Sequence, residues 1–259
     1  MGRPVTERAP VHRDRRRAEA FGSAADRYDA YRPHYPDALI AELVERNGLR
    51  VLDVGAGTGI ASTQLANAGA NVLAVEPDSQ MARVASEKGL SVEVATFEAW
   101  DPAGRTFDLV VFAQSFHWVE PRLALRKVAA LLNPGGRLAL LWNRISPVTP
   151  DRKQLDRAYA GLLDERQSPS TGLEGDELGP LLTEAGLASE RRRYVDPLHY
   201  PTERWVNMVT TYSNVLTLDP TIQSELRSRL EACIGASGVA ATNDALAVVC
   251  TVGDQVSAS

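Results

Sequence analysis

The amino-acid sequence predicts a doubly wound α/β fold, and two observations support this prediction. Short apolar runs alternate with stretches of helical periodicity along the 259 residues, which is the order that a parallel sheet covered by helices requires. The first apolar run, 50–54, ends in a turn with three glycines at alternate positions. Glycines after a buried strand expose bare backbone to a ligand, at the edge where open α/β sheets bind. The length fits one full-sized domain.

The composition is that of an ordinary globular protein, with 44% hydrophobic and 24% charged residues and a formal net charge of −5. This charge gives no general reason to expect nucleic acid as a partner. Cys233 and Cys250 are too few for a disulfide framework, and the four histidines lack ligand spacing, so we expect no metal site. Because no apolar run has membrane length and no signal-peptide core is present, we expect a cytoplasmic protein without a membrane partner.

The first twenty residues depart from the acidic balance, because they carry six arginines against three acidic residues. Such a segment is typical of a solvated terminus, so we expect 1–20 to form a flexible basic arm. The alternative is an arm that contacts phosphate or an anionic partner.

The glycine-rich turn has the pattern D-x-G-x-G-x-G. A dinucleotide fingerprint, G-x-G-x-x-G, would need its third glycine at Ile60. The pattern instead resembles the first motif of the class I S-adenosylmethionine (SAM)-dependent methyltransferases. The resemblance implies SAM as the cofactor, S-adenosylhomocysteine as its product, and a Rossmann-like sheet of seven strands with the last one antiparallel. It also implies cofactor contacts within the turn, at Asp53, Gly55, Ala56, Gly57, Thr58 and Gly59.

The segment before the first strand predicts a helix over 15–28 that two prolines then end. Its phrase F-x-x-x-A-x-x-Y-x-x-x-R-P-x-Y-P, which starts at Phe21, resembles the start of small-molecule methyltransferases of the trans-aconitate methyltransferase type. The resemblance implies that Tyr28, Arg32 and Tyr35 form a lid over the methionine end of SAM, where a guanidinium suits the carboxylate. The alternative is an amphipathic helix that packs its aromatic residues on the sheet.

The end of the second strand carries a candidate ribose contact. This strand, predicted over 71–75, is followed by Glu76 and Pro77. An acidic residue about 20 positions after the glycines is placed to accept hydrogen bonds from ribose hydroxyls. Met81, on the first turn of a helix predicted over 79–88, faces either the adenine or the core.

A third strand, predicted over 91–95, is followed by Thr96, Phe97 and Glu98. The resemblance implies that this stretch contacts adenine. Thr96 stands where the family more often has Asp, so the contact falls to the backbone of Phe97 or to Glu98. The alternative for Glu98 is helix capping.

The loop after the fourth strand, 107–112, carries the candidate catalytic residue. It lacks the Asn/Asp-Pro-Pro-aromatic run of enzymes that methylate exocyclic base amines, and neither cysteine stands beside a proline, as cytosine-C5 enzymes need. Gln114 is a candidate cofactor contact. His117 and Trp118 resemble the pair that borders the substrate in small-molecule relatives. Because histidine titrates near neutral pH, His117 is the candidate base; the alternative is a pocket wall.

A helix predicted over 125–132, a Pro-Gly-Gly turn and a strand over 137–142 match a further family motif, L-x-P-G-G-x-L-x-L. The glycines permit a tight reversal of the chain. Asn143 and Arg144 then follow at the carboxyl end of the strand, on the ligand side.

The remainder differs in character, with helices, loops and several prolines, and 146–235 is expected to contribute a substrate cap. A strand predicted over 188–200 contains Pro197, which indicates a sheet edge or a bulge. A helix is predicted over 202–216 and the last strand over 245–252.

Several residues on segments at the mouth of the site are candidate substrate contacts. For each of them, a structural role in packing is the alternative. They are Phe21, Tyr31, Tyr35, Trp118, Asn143, Arg144, His199 and Tyr212.

These features predict a single methyltransferase domain over 21–259. Its predicted reaction moves a methyl group from SAM to O, N or C of a small molecule, a metabolite or natural product, by in-line displacement. One alternative is an RNA or protein methyltransferase recruited by the basic arm. The other is a protein that binds SAM without catalysis.

Overall fold

The computed structural model describes residues 24–162 and 178–252; the predicted basic arm and Phe21 lie outside them. The strands are β1 (Arg50–Val54), β2 (Asn71–Glu76), β3 (Ser91–Val94), β4 (Phe107–Ala113), β5 (Leu132–Trp142), β6 (Ile145–Thr149), β7 (Leu187–Tyr200) and β8 (Val239–Val252). The helices are α1 (Ala25–Tyr31), α2 (Asp37–Leu43), α3 (Ile60–Asn67), α4 (Ser79–Glu87), α5 (Pro121–Leu131), α6 (Arg152–Tyr159), α7 (Leu178–Glu184), α8 (Thr202–Val209), α9 (Ser213–Leu216) and α10 (Pro220–Ile234).

The strands form one sheet in the order β3-β2-β1-β4-β5-β8-β6, with β7 also paired to β8. Strands β1 to β5 pair in parallel, and β8 runs antiparallel to β5. The order reverses between β1 and β4, so the carboxyl ends of these strands flank a crevice. The predicted α/β fold with an antiparallel last strand is confirmed.

The structure has one more strand than the seven predicted, and β6 is the addition. The residues of β8 from 246 to 251 pair with β5, and those from 240 to 243 pair with β6. Because β7 occupies the other edge of β8 along its whole length, β6 continues the line of β5 on the same edge. Pairing with β6 over 240–243 and with β7 as far as Val239 explains why β8 begins six residues before the predicted start.

Successive residues of the central strands pack into cores on opposite faces of the sheet. Leu52 and Val110 belong to a core shared with α5, whereas Val51 and Leu109 belong to a core shared with α2 and α3. All four side chains are fully buried. Burial on both faces is what a parallel sheet between two helical layers requires.

A third core gathers the carboxyl-terminal helices. Leu155 of α6, Trp205 of α8 and Leu226 of α10 pack together with Val239 at the start of β8. Except for Val239 and Ala241 of β8, the buried members of this cluster lie within 146–235, the segment from which the sequence predicts a cap.

The prediction of a single helix over 202–216 is wrong, because α8 ends at Val209 and α9 forms a separate helix. The hydroxyl of Thr210 donates to the carbonyl of Asn207 at 2.9 Å, and that of Thr211 donates to Met208 at 2.6 Å. Threonine hydroxyls that bond nearby carbonyls compete with helical hydrogen bonding.

Other boundaries differ by a few residues. Helix α5 begins at Pro121 rather than at residue 125, because the Glu120 carboxylate accepts from the N–H groups of Arg122 and Leu123. Strand β7 pairs only with β8 among the described residues, so the predicted edge position of Pro197 is confirmed. None of the helices in the described ranges combines the length and apolar character needed to span a membrane.

Candidate cofactor and active site

The glycine turn after β1 is crowded and lies in a backbone region that favours glycine. Gly55, Gly57 and Gly59 have φ values of 66°, 58° and 78°. A Cβ on Gly55 would lie 2.7 Å from the Cβ of Ser115, and one on Gly59 would lie 2.5 Å from Leu90. The structure therefore requires glycine at both positions for close approach as well as for conformation. Ala56 and Thr58 complete this turn.

Asp53, at the carboxyl end of β1, is a fully buried carboxylate, and only one of its two oxygens has a hydrogen-bond donor in the described ranges. The Ser62 hydroxyl donates to Oδ2 at 2.6 Å, whereas Oδ1 has no hydrogen-bond partner among residues 24–162 and 178–252. The buried Oγ1 of Thr58 also lacks a partner in these ranges. Burial raises the pKa of the Asp53 carboxyl to about 6. Unsatisfied buried acceptors are costly, so a donor or cation from a ligand fits here.

Glu76 closes β2 as a second buried carboxylate beside the glycine turn. Its Oε2 accepts from the N–H of Gly57 at 2.8 Å, and its Oε1 accepts from the N–H of Asp78 at 2.9 Å. Burial raises the pKa of Glu76 to about 7, and these two hydrogen bonds oppose the shift. Pro77 follows directly. Met81 of α4 is buried against Tyr28 of α1, so its side chain packs between these two helices.

The stretch from Thr96 to Glu98 begins a short turn after β3. Thr96 Oγ1 accepts from the N–H of Ala99 at 3.3 Å, so Thr96, and not Glu98, caps this turn. The Phe97 side chain is buried and meets Phe112 edge to face. Glu98 is exposed. Because the Phe97 side chain is buried, a ligand could contact this residue only through its backbone, whereas the side chain of Glu98 is accessible.

Arg32 joins the segment predicted as a lid, 28–35, to the carboxyl-terminal helices. Its guanidinium lies 4.7 Å from the ring centre of Tyr28 and 4.2 Å from that of Tyr212. Its Nε donates to Thr211 Oγ1 at 2.9 Å, and its Nη2 donates to the Thr211 carbonyl at 3.0 Å. The break between α8 and α9 places Thr211 at this contact, so the cation of the lid is already held between two rings.

Two amides fix the rest of the lid. Gln64 of α3 accepts from the N–H of Tyr35 at 2.9 Å and donates to its carbonyl at 2.8 Å. Asn143 Nδ2 donates to the carbonyl of His34 at 3.2 Å, and its Oδ1 accepts from Asn243 at 2.8 Å. Burial raises the pKa of Tyr35 well above its usual range, and the nearby Tyr28 and Asp53 raise it further.

The loop after β4 brings Gln114, His117 and Trp118 to the same edge. Gln114 adopts a φ of 59°, and its amide donates to the Asn143 carbonyl at 3.0 Å. Ser115 donates to the Val54 carbonyl at 2.5 Å, which ties this loop to the end of β1. The rings of His117 and Trp118 are half-buried, 4.8 Å apart and tilted by 45°.

The remaining predicted substrate residues are placed less closely together. Arg144 donates to the backbone carbonyl and to the carboxylate of Asp244, at 3.0 and 2.7 Å. Tyr31 packs at the margin of the third core. His199 is exposed at the end of β7, and its Nε2 lies 3.0 Å from the Ser237 carbonyl.

Ser62, Gln64 and Thr211 are site residues that the sequence did not single out. Ser62 and Gln64 lie on α3, three and five residues after the last glycine of the turn, so their spacing could have indicated them. Thr211 lies 179 positions from the arginine that it holds, and no local pattern predicts such a contact.

Residues 52–140 match a family described as Methyltransferase domain. An uncharacterised methyltransferase of Mycobacterium tuberculosis is 41% identical over 127 residues, which are 48% of this chain and 52% of that protein. The ubiquinone biosynthesis O-methyltransferase of Xanthomonas axonopodis pv. citri is 33% identical over 139 residues, 47% of this chain and 58% of that protein. The chain thus spans about half the length of the curated relatives that it matches.

Two solved structures share the fold over most of the chain. A candidate type II methyltransferase from Anaeromyxobacter dehalogenans has a TM-score of 0.61 and 23% identity, covering 85% of this chain and 97% of that one. Phosphoethanolamine N-methyltransferase 2 of Haemonchus contortus, solved with SAM, has a TM-score of 0.54 and 14% identity, covering 90% and 57%. At such identities the likeness concerns the fold.

Proposed function

We propose that this chain is a class I SAM-dependent methyltransferase and that it transfers the methyl group of SAM to a small-molecule acceptor; the methyltransferase-domain match over 52–140 and the fold support this proposal. The observation that carries the proposal is the buried Asp53 carboxylate, whose Oδ1 is left without a partner in the described ranges beside a turn that only glycine can form.

The residues present fit SAM. Its ammonium is the donor that Asp53 Oδ1 lacks, and its ribose hydroxyls suit Glu76, whose oxygens each keep acceptor capacity beyond one backbone hydrogen bond. The glycine turn leaves backbone exposed to the ligand between these two carboxylates. In the lid, Arg32 is the cation suited to the methionine carboxylate, and contact with it requires sharing or exchanging the Thr211 hydrogen bonds.

Bound SAM supplies an electrophilic methyl group on a sulfonium centre. The chain has to align the acceptor in line with that group and exclude water. The lid, held by Gln64, Asn143 and Thr211, is built to exclude water from the crevice. A ring nitrogen of His117 takes the proton when the acceptor is a hydroxyl or a protonated amine.

A small acceptor is favoured by the cover over the site. Lid and carboxyl-terminal helices meet directly through Arg32 and the Thr211–Tyr212 segment. A direct contact of this kind favours a small acceptor over a polymer. Among proteins of this fold, the Haemonchus contortus enzyme was solved with the small molecule phosphomonomethylethanolamine and S-adenosylhomocysteine. The acceptor atom, O, N or C, is left open by this proposal.

The test is transfer of labelled methyl from SAM into a fractionated extract of the source cells. We expect label in the small-molecule fraction, with a mass that identifies the acceptor. Label in RNA or protein instead would contradict the proposal and would indicate that the basic arm recruits the polymer. Binding of SAM without any transfer, in extracts from several growth conditions, would favour a protein that binds SAM without catalysis.

The role of His117 is tested with the acceptor so identified. His117→Ala should lower kcat by about 100-fold, in the usual range for loss of a general base, and leave SAM affinity nearly unchanged. His34→Gln, which alters an exposed histidine of the lid, is the matched control. An unchanged kcat with an unchanged pH profile would make His117 a pocket wall.

A further inference from the structure

Lys127 of α5 is a half-buried cation whose ammonium group is hydrogen-bonded to backbone carbonyls. Its Nζ donates to the carbonyls of Phe97 and Trp100, each at 2.5 Å, and to that of Glu98 at 3.4 Å. An ammonium has three N–H donors and no acceptor. All three donors therefore point at one short stretch of chain, which is the turn after β3.

That turn is a single helical turn whose end needs donors. The N–H groups of Ala99 and Trp100 donate to the Thr96 carbonyl at 3.1 and 2.9 Å, which closes the turn at its start. The last carbonyls of a helical turn have no donor within it, and cations are favourable near them. Lys127, 27 to 30 positions away, supplies these donors.

The aromatic rings of the turn are fixed from two sides. The ammonium of Lys127 lies 4.9 Å from the ring centre of Phe97 and 5.5 Å from that of Trp100. On the other side, Trp100 Nε1 donates to the Glu93 carboxylate, which Arg105 holds through two hydrogen bonds of 2.6 and 2.9 Å. The turn is thus held by a cation at each side and has little freedom to shift.

The turn lies next to the proposed ribose carboxylate. Glu76 pairs with Val94 in the register of β2 and β3, and the N–H of Ala95 donates to the Glu76 carbonyl at 3.2 Å. Thr96 is therefore only two residues beyond the strand position opposite Glu76. A nucleoside whose ribose lies on Glu76 brings its base to this backbone.

We propose that Lys127 is a positioning residue that holds the turn from Thr96 to Trp100 in place for the base of the cofactor and so sets the preference for adenine. The inference rests on the proposed function. Lys127 touches no ligand itself; it fixes backbone donors and acceptors, and a base edge is recognised only when such groups are held in one place. Loss of the ammonium releases three carbonyls, and the turn then fits an adenine edge no better than another base edge.

The experiment compares calorimetric affinities for S-adenosylhomocysteine and S-inosylhomocysteine, which differ at position 6 of the base. The wild-type protein should prefer the adenine compound. In Lys127→Met, the affinity for S-adenosylhomocysteine should fall about tenfold and that for S-inosylhomocysteine less than threefold, so the preference should collapse. Arg126→Met, which alters the exposed neighbour on α5, should leave both affinities unchanged.

Lys127→Arg keeps the charge but replaces the three-donor ammonium by a planar fork, so it should retain only part of the preference. This variant decides the matter if Lys127→Met does not fold. A full wild-type preference in the substituted protein would overturn the inference, even if that protein were less stable, because Lys127 would then only stabilise the turn. Failure of the wild-type protein to bind S-adenosylhomocysteine would instead overturn the proposed function and this inference with it.

Discussion

The two ends of the sheet each carry a carboxylate, and the two carboxylates differ in their hydrogen bonding and in the direction of their pKa shift. Asp108, at the amino end of β4, accepts from the N–H of Arg50 and from the Asn133 amide, each at 2.9 Å, and these hydrogen bonds hold its pKa below the usual range. Asp53, at the carboxyl end of the neighbouring β1, has one donor, a raised pKa and an oxygen without a partner in the described part of the chain.

The difference teaches where stability and function reside in this fold. At the amino end, both carboxylate oxygens of Asp108 have donors, so Asp108 contributes to folding. At the carboxyl end, burying a carboxylate without enough hydrogen-bond donors costs free energy. Buried carboxylates with shifted pKa values are typical of binding sites. Asp53 and Glu76 are therefore groups that a ligand completes, whereas Asp108 is already complete.

The largest effect is expected from crowding the carboxyl end. Gly55→Ala should abolish measurable SAM binding and destabilise the protein by about 1 to 3 kcal/mol more than the control, because the new Cβ meets Ser115 at 2.7 Å. The control is Gly89→Ala, at a φ of 84° with open space around it, so that only conformational strain remains. Calorimetry and urea unfolding provide the two measurements. Equal behaviour of the two variants would contradict the close approach described here.

Exchanging each aspartate for asparagine should separate the two roles. Asp53→Asn should weaken SAM binding at least tenfold without lowering the free energy of unfolding, because a costly buried charge is removed. Asp108→Asn should leave SAM affinity unchanged and lower the free energy of unfolding by about 1 kcal/mol. The carboxylate has three donors, the Arg50 N–H, the Asn133 amide and the Arg46 guanidinium, and in the variant at least one of them faces an amide nitrogen. The opposite assignment of effects would break the comparison.

The most gradual effect is the pH dependence of stability, which is spread over several pH units. Burial raises the pKa of Asp53 to about 6 and that of Glu76 to about 7, above the values of 3.8 and 4.5 in an unfolded chain. Between these values the folded protein binds more protons than the unfolded chain, so these groups make stability fall as pH rises. We expect these two groups together to lower the free energy of unfolding by up to about 4 kcal/mol between pH 5 and pH 8 in urea unfolding. Asp53→Asn should reduce this loss, and a loss as large as in the wild-type protein would contradict the raised pKa.

The sequence predicted the strands and the glycine turn at the carboxyl end because their signals are local. The glycine turn, Asp53 and the acidic end of β2 lie within 24 residues, and strand and turn chemistry fixes their relation. The lid and cap depend on contacts over long separations, such as the one from Arg32 to Thr211. The break after α8 and the continuation of β5 by β6 likewise arise from pairing with distant chain, which periodicity does not reveal.

The same limit applies to individual roles. Spacing predicts that Asn143 and Arg144 follow the carboxyl end of β5, and they do so in the structure. It does not predict that their side chains bond to the lid and to Asp244. Nor does any motif indicate Lys127, whose partners lie on another element.

The central claim, that the carboxyl end of this sheet binds SAM, is tested most directly by titrating SAM into wild-type protein and Glu76→Ala in a calorimeter. We predict one site in the wild-type protein and an affinity about 10 to 100-fold lower in the variant, because the ribose contact is lost. Equal affinities in the two proteins, or no binding to the wild-type protein, would contradict the account.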